Sequence, residues 1–353
     1  DSQVFRGEKA DGKSKTINIK LDKDKNKGIF GRLAAGGGTD ERYEYAGLAN
    51  YFNDDLRLSV LSGGNNINTS GFTFGELREV FNTYAYTTYN GGISIGGRRI
   101  GGGDGIVNSK VTGANYTDDL GKNLEVSSDY FYTATNNYFD NISSSENIRP
   151  EGNYFTESSY NSTGNQDKHE INTHIKLAID SSWMIDARPK FSYDKNFSRG
   201  SSTSESRKEN GDLRNTSTAS NYGITESTNF STNLNINKRF KQSFIMLGIN
   251  TNIDNSDFER RNESEYIFYD SDQEDIYRNQ IIRGGSKNNN SSAFVNFRSP
   301  IIEKLLFYGI SYNYAINLDD SENLAYDYDE ESDQFQKLNE DQSTSFDNHT
   351  ATH

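Results

Sequence analysis

The sequence predicts an all-β fold: antiparallel strands in up-and-down order, making a transmembrane β-barrel or part of one, with short turns at one end and long loops at the other. Three observations predict it. Long segments alternate apolar and polar residues at period two. The apolar content is too low to supply a compact core for this length of chain. The connections are short and long by turns.

The alternation is cleanest between Lys168 and Asp194. Ile171, Thr173, Ile175, Leu177 and Ile179 are separated by Asn172, His174, Lys176, Ala178 and Asp180. After Ser181-Ser182, the second arm sets Trp183, Ile185, Ala187, Pro189, Phe191 and Tyr193 against Met184, Asp186, Arg188, Lys190 and Ser192. Two such arms on a tight polar turn make a hairpin with one apolar face.

Apolar residues are 32% of the 353, against roughly 45–50%, Gly included, in an ordinary soluble domain. Aromatics at 12% argue against disorder. A barrel with a wet interior reconciles the two, because it needs apolar atoms only in an outer belt about 25 Å tall edged by aromatic girdles. The net charge of −14 argues against a nucleic-acid partner. With no cysteine there is no disulfide framework, thiolate metal site or Cys nucleophile. No run approaches the ~18 apolar residues of a membrane helix, which leaves strands as the spanning element. The chain opens at Asp1-Ser2-Gln3 without a secretory signal, so upstream residues are expected.

Taken in order, residues 1–28 are set apart: a short alternating strand, Thr16–Leu21, then a charged linker, Asp22–Gly28, with no apolar side chain. Strands come next at about Ile29–Gly38, Glu41–Phe52 and Leu56–Gly63. A long insertion spans about Asn65–Ser109. Strands at Lys110–Thr117 and Lys122–Thr135 flank the turn Asp118–Gly121. A polar loop is expected over Asn136–Asn165, then the hairpin centred on Ser181-Ser182. A Ser/Arg/Glu/Asn-rich loop is expected over Arg199–Asn221. Ile224–Phe240 and Ser243–Asp254 make another hairpin on Lys241-Gln242, and a polar loop is expected to about Asn290. Ser292–Ser299 and Leu305–Asn317 flank Pro300–Lys304. The acidic loop Asp319–Asp333 and an incomplete strand after Thr344 end the chain. This makes roughly eleven or twelve strands. Short turns fall near 54, 119, 181, 241 and 302, long ones near 87, 150, 210, 272 and 331. Up-and-down membrane barrels sort their loops in this way, with short periplasmic turns and long extracellular loops.

The stretch Lys15–Leu21, the Lys/Asp linker and Gly28-Ile29-Phe30-Gly31 resemble the passage from plug to barrel in TonB-dependent outer-membrane receptors and their close barrel relatives. Asn50–Asn53, Ser59–Asn68 and the Gly-rich Gly101–Ile106 resemble the next hairpin of that family. The resemblance is clearest over about residues 15–120. It implies that 1–28 is the end of a plug domain and 29–353 the N-terminal part of a barrel of about twenty-two strands. It implies residence in the cell outer membrane, coupling to periplasmic TonB through a missing N-terminal part, and energised uptake of a siderophore, glycan or peptide. A partner lipoprotein is compatible with this, and no residue here specifies one. The energy-coupling box and the terminal aromatic strand of the family are absent from the sequence, so a fragment is expected.

In this reading Ile171, Ile175, Leu177, Trp183, Ile185, Phe191, Leu234, Ile249, Ile310 and Tyr312 face lipid. Glu125, Asn172, Lys176, Asp186, Arg188 and Lys190 face the lumen. Arg98 and Arg99 in the Gly-rich run, with Tyr84, Tyr86 and Tyr89, are the candidates for ligand contact, suited to an anionic or sugar ligand. That run lacks the phosphate-loop pattern. His169 and His174 point to opposite faces, while His349 and His353 share one; no metal site is expected from them. The acidic segments 270–275 and 319–333 lack the EF-hand pattern and read as solvated loops. No Ser/His/Asp set or carboxylate pair has a context that favours catalysis, so neither an enzyme nor a cofactor is expected. The rival reading is a soluble, secreted all-β protein that binds glycans or adheres to surfaces. Its apolar faces would be packed against each other as a sandwich.

Overall fold

The computed structural model describes residues 27–81, 84–88, 91–95, 98–150, 152–269, 272–302 and 305–353. The expected strand Thr16–Leu21 and nearly all of the segment 1–28 lie outside them. The chain is all-β and antiparallel, with one short helix among the described residues. Strands β1 (Lys27–Gly37), β2 (Tyr43–Asn53) and β3 (Leu56–Asn65) open a meander. An insertion comes next, with helix α1 (Phe74–Phe81) and a small sheet of β4 (Ala85–Thr87), β5 (Ile93–Ile95) and β6 (Arg98–Ile100). The meander resumes with β7 (Ile106–Leu120), β8 (Leu124–Asn147) and β9 (Tyr154–Asp180). It continues through β10 (Trp183–Ala187), β11 (Lys190–Lys208), β12 (Leu213–Phe240) and β13 (Ser243–Phe268). It ends with β14 (Ile276–Ile302), β15 (Leu306–Asp329), β16 (Gln334–Leu338) and β17 (Thr344–Thr352).

These strands form a single 14-stranded sheet in which sequence neighbours pair. Because β10 and β11 are one pass broken at Arg188-Pro189, and β16 and β17 both lie along β15, the sheet makes twelve passes. The break arises from Pro189, which has no N–H to give the ladder. The pass continues across it: Arg188 N donates to Asn233 O (2.9 Å), and Thr173 N donates to Pro189 O (2.9 Å). Among the described residues the sheet is open, with β1 at one edge and β16 and β17 at the other.

Cross-strand register turns the period-two pattern into a surface. One row runs Val126–Ile175–Ala187–Leu234–Ile249–Ala293–Tyr314 over seven adjacent passes. The next runs Leu124–Leu177–Ile185–Ile236–Leu247–Val295–Tyr312. A third runs Tyr130–Ile171–Phe191–Phe230–Ile253. All ten residues expected on the apolar side share this one face. It is uncovered: Ile171 and Phe191 are each 43% exposed and Ile310 65%. Among the described residues no second layer packs on it, as a sandwich would require. From Ile171 to Ile179 the apolar band is ~26 Å long along the strand. Aromatic rings border it. Tyr132, His169 and Tyr193 pack in a line on one side, with ring centroids 4.7 and 6.3 Å apart. Trp183 and Phe240 on the other side both pack against the Lys238 ammonium.

Four expected loops are corrected to strand. The polar segments 136–165, 199–221, 255–290 and 319–333 mostly continue the ladder; among the described residues the departures from it are 148–150, 152–153, 209–212, 269, 272–275 and 330–333. Passes therefore reach 24–28 residues in β8, β9 and β12–β15. About 9–11 residues suffice to cross a bilayer. The alternation fades there because both faces are wet, so Ser, Thr and Asn occupy both. Pairing itself is uninterrupted and is reinforced by hydroxyl pairs such as Thr156–Ser206 (2.9 Å) and Ser158–Ser204 (3.0 Å). Of the connections at that end, only 66–105 is long.

Candidate functional site

The face opposite the apolar band carries the chemistry, and it has two regions. The first lies under the insertion. Helix α1 begins at a capping box: Thr73 N donates to Glu76 Oε2 (2.8 Å) and Glu76 N donates to Thr73 Oγ1 (3.3 Å). Phe72, Leu77, Val80 and Phe81, with Ile93, Ile95 and Ile100 of the small sheet, bury against Ala46, Leu48, Leu61, Val111 and Phe131 of the large one. Two glycines make room. A Cβ on Gly63 would stand 2.7 Å from the Phe72 ring, and one on Gly113 would stand 2.9 Å from the Phe81 ring. Phe81 meets Phe131 edge-on, with centroids 5.1 Å apart.

Arg98 pins this unit to the sheet. It is 5% exposed, its Nη2 pairs with Asp129, its Nε donates to Glu170 Oε2 (3.1 Å), and its guanidinium stacks on Phe131. Asn172 Nδ2 adds a bond to Asp129 (3.0 Å) and Lys168 pairs with Glu170 (3.4 Å). Of the five ligand-contact candidates, then, Arg98 is committed to an internal clamp. Arg99 is exposed, as are Tyr84 and Tyr86, whose rings lie 6.0 Å apart. Tyr89 lies outside the described residues. The Gly-rich run, expected in an external loop, instead folds back over the sheet in its described part. Composition hid this, because the apolar residues of the large sheet that bury it are spread over four separate strands.

The second region is a polar cavity of about 490 Å³ lined by Glu125, His174, Lys176, Met184, Asp186 and Arg188, with Asn233, Asn235, Asn237 and Met246. The strand period aims these side chains to one side. Lys176 Nζ meets Glu125 (3.1 Å), and Asp186 is held by His174 Nε2 (3.0 Å) and Arg188 Nε (2.9 Å). Amides continue the wall: Asn235 donates to Asn233 (2.5 Å), Asn233 to Asn250, and Asn229 to Asn252 (2.9 Å). All six residues expected on the polar side are on this face, as the pairs Glu125–Lys176, Lys176–Asp186 and Asn172–Lys190 require. The amide wall and the two methionines are not among the residues that sequence reasoning picks out. The signal for the wall is the run of Asn at every second position from 229 to 237, interrupted only by Ser231.

The acidic segment 319–329 is strand, so its carboxylates alternate between faces and do not converge as a calcium loop would. On the exposed side of β15 and β17, His349 Nε2 bridges Asp320 (3.2 Å) and Asp347 (3.1 Å). His353 instead stacks near Tyr314, 5.1 Å away. No family model, curated protein or solved structure matches this chain.

Proposed function

We propose that this chain forms a large part of an outer-membrane β-barrel of the TonB-dependent receptor type, serving uptake of a ligand along the polar face. The observation that carries the proposal is the uncovered apolar band. It crosses the adjacent passes in register, is bordered by aromatic rings, and is backed by a polar, hydrogen-bonded wall. In water such a surface is a liability far beyond ordinary exposed patches; against acyl chains it is the favourable side. Its vertical extent also fits: ~26 Å along strands tilted about 40° gives ~20 Å of height, close to the belt of known barrels. Among the described residues the sheet begins at Lys27, at the end where the later turns are short, which is where a plug would hand over to a barrel.

In this reading the open edges at β1 and β17 cannot remain unpaired in lipid, where each unsatisfied backbone group costs several kcal/mol. The insertion stands inside the wall and narrows the passage. Ligand specificity then rests on Arg99, Tyr84, Tyr86 and the amide wall. The test is cell fractionation of the full-length protein. Recovery in the outer membrane with heat-modifiable gel mobility is the expected result; recovery as a free soluble monomer refutes the proposal.

A further inference from the structure

A groove on the belt-bearing face, far above the belt, has no part in the uptake path. Arg199, Tyr222, Arg261 and Ile281 lie in one register row across β11, β12, β13 and β14. The row sits eight residues beyond Phe191, Phe230, Ile253 and Asn289 on the same strands, hence on the same face and ~26 Å further along. With Glu259, Glu263 and Phe335 these residues enclose about 480 Å³. Ile281, only 6% exposed, is the floor. The ring of Tyr222, braced edge-on by Phe197 at 5.4 Å, makes one wall. Phe335, under the Arg261 guanidinium at 5.1 Å, makes the other.

The charges differ in their commitments. Glu259 pairs with Arg283 (2.8 Å), and Glu263 with Arg261 (3.5 Å) and the Tyr277 hydroxyl (3.2 Å). Arg199 is exposed beside Tyr222 and has no carboxylate partner among the described residues. Nearer the belt on the same strands, Lys195 is matched to Glu226 (2.5 Å). An unmatched guanidinium next to aromatic faces suits a ligand that offers an anionic oxygen pair and a C–H-rich ring surface, which is the chemistry of a phosphorylated or carboxylated sugar.

We propose that this groove binds the anionic sugar headgroup of a glycolipid whose acyl chains lie against the apolar band below it. The inference rests on the membrane reading. Its distinctive support is continuity, since one face carries the band, the charged zone above it and the groove in vertical succession.

The test uses the full chain purified in detergent, with rough-type lipopolysaccharide as probe and its delipidated, phosphorylated oligosaccharide as a second arm. Retained glycolipid is measured by mass spectrometry after gel filtration. Arg199→Ala and Tyr222→Ala are each expected to lower retention at least fivefold, Arg199→Lys to keep more than half, and Lys122→Ser, in the exposed turn between β7 and β8, to change nothing. Heat-modifiable mobility confirms that each variant is folded. Equal retention by Arg199→Ala and the unaltered protein overturns the inference while leaving the barrel reading intact, as does equal affinity for the free oligosaccharide. Recovery of the unaltered protein in the soluble fraction of cells overturns both.

Discussion

Ile175 and Lys176 are sequence neighbours on opposite faces of β9, and exchanging each for a polar residue separates the two sides of the sheet. Ile175 lies in the row Val126–Ile175–Ala187–Leu234–Ile249, at the middle of the apolar band. An arginine there, if the band faces lipid, costs about 2–4 kcal/mol at the bilayer midplane. Lys176 contributes an ion pair with Glu125 whose carboxylate is more than half exposed, so its loss in Lys176→Ser costs at most about 1 kcal/mol. The difference of ~1–3 kcal/mol corresponds to roughly 5–150-fold in the folding equilibrium. The assay is urea titration of refolding into lipid vesicles, read by heat-modifiable mobility, alongside outer-membrane recovery in cells. Ile175→Arg should shift the midpoint strongly and lower recovery; Lys176→Ser should do neither. Equal behaviour of the two, or a larger loss for Lys176→Ser, refutes the assignment of faces.

Arg98→Ala removes the cation shared by Asp129 and Glu170 and should weaken docking of the insertion by about 1–3 kcal/mol, seen as protease cleavage within 66–105 while the large sheet stays resistant. Pro189→Val supplies the amide that this pass lacks and should stabilise the sheet by about 1 kcal/mol in the same urea titration, provided the pass straightens; no gain, or a loss, would mean the kink is needed. Hydrogen bonds from Ser332 Oγ and the Glu331 amide hold the Asp329 carboxyl below the ordinary carboxylate range. Its contribution to the β15–β16 turn is therefore complete at neutral pH and lost as pH falls through the folded-state value. Amide exchange at residues 330–334 should accelerate over that acidic window, and Asp329→Asn should abolish the pH dependence.

The sequence was legible wherever one face of a strand was apolar. The alternation in Ile171–Ile179 and Trp183–Tyr193 marked the strands, their hairpin and the side each residue takes, because a one-residue slip would have reversed every side chain. Ser158, Thr203 and Asn221 carried no such contrast, so paired strand read as loop. Sequence distance hid the clamp as well: Arg98, Asp129 and Glu170 come from three separate elements, and only the fold brings them together. The helix start was written locally in Thr73 and Glu76, but Gly71 and Gly75 beside it, residues unfavourable in a helix, obscured it.

The unbroken pairing of β8 through β15 past the apolar band has a mechanical consequence. From Ile253 to Phe268 alone the strand rises ~50 Å along its length, cross-linked to its neighbours at every step. In the proposed barrel, a molecule arriving from outside would meet no soft fringe. It would meet a stiff collar whose strands end at Asn147, Lys208, Phe268 and Asp329, and would pass along a hydroxyl- and amide-lined wall before reaching the insertion.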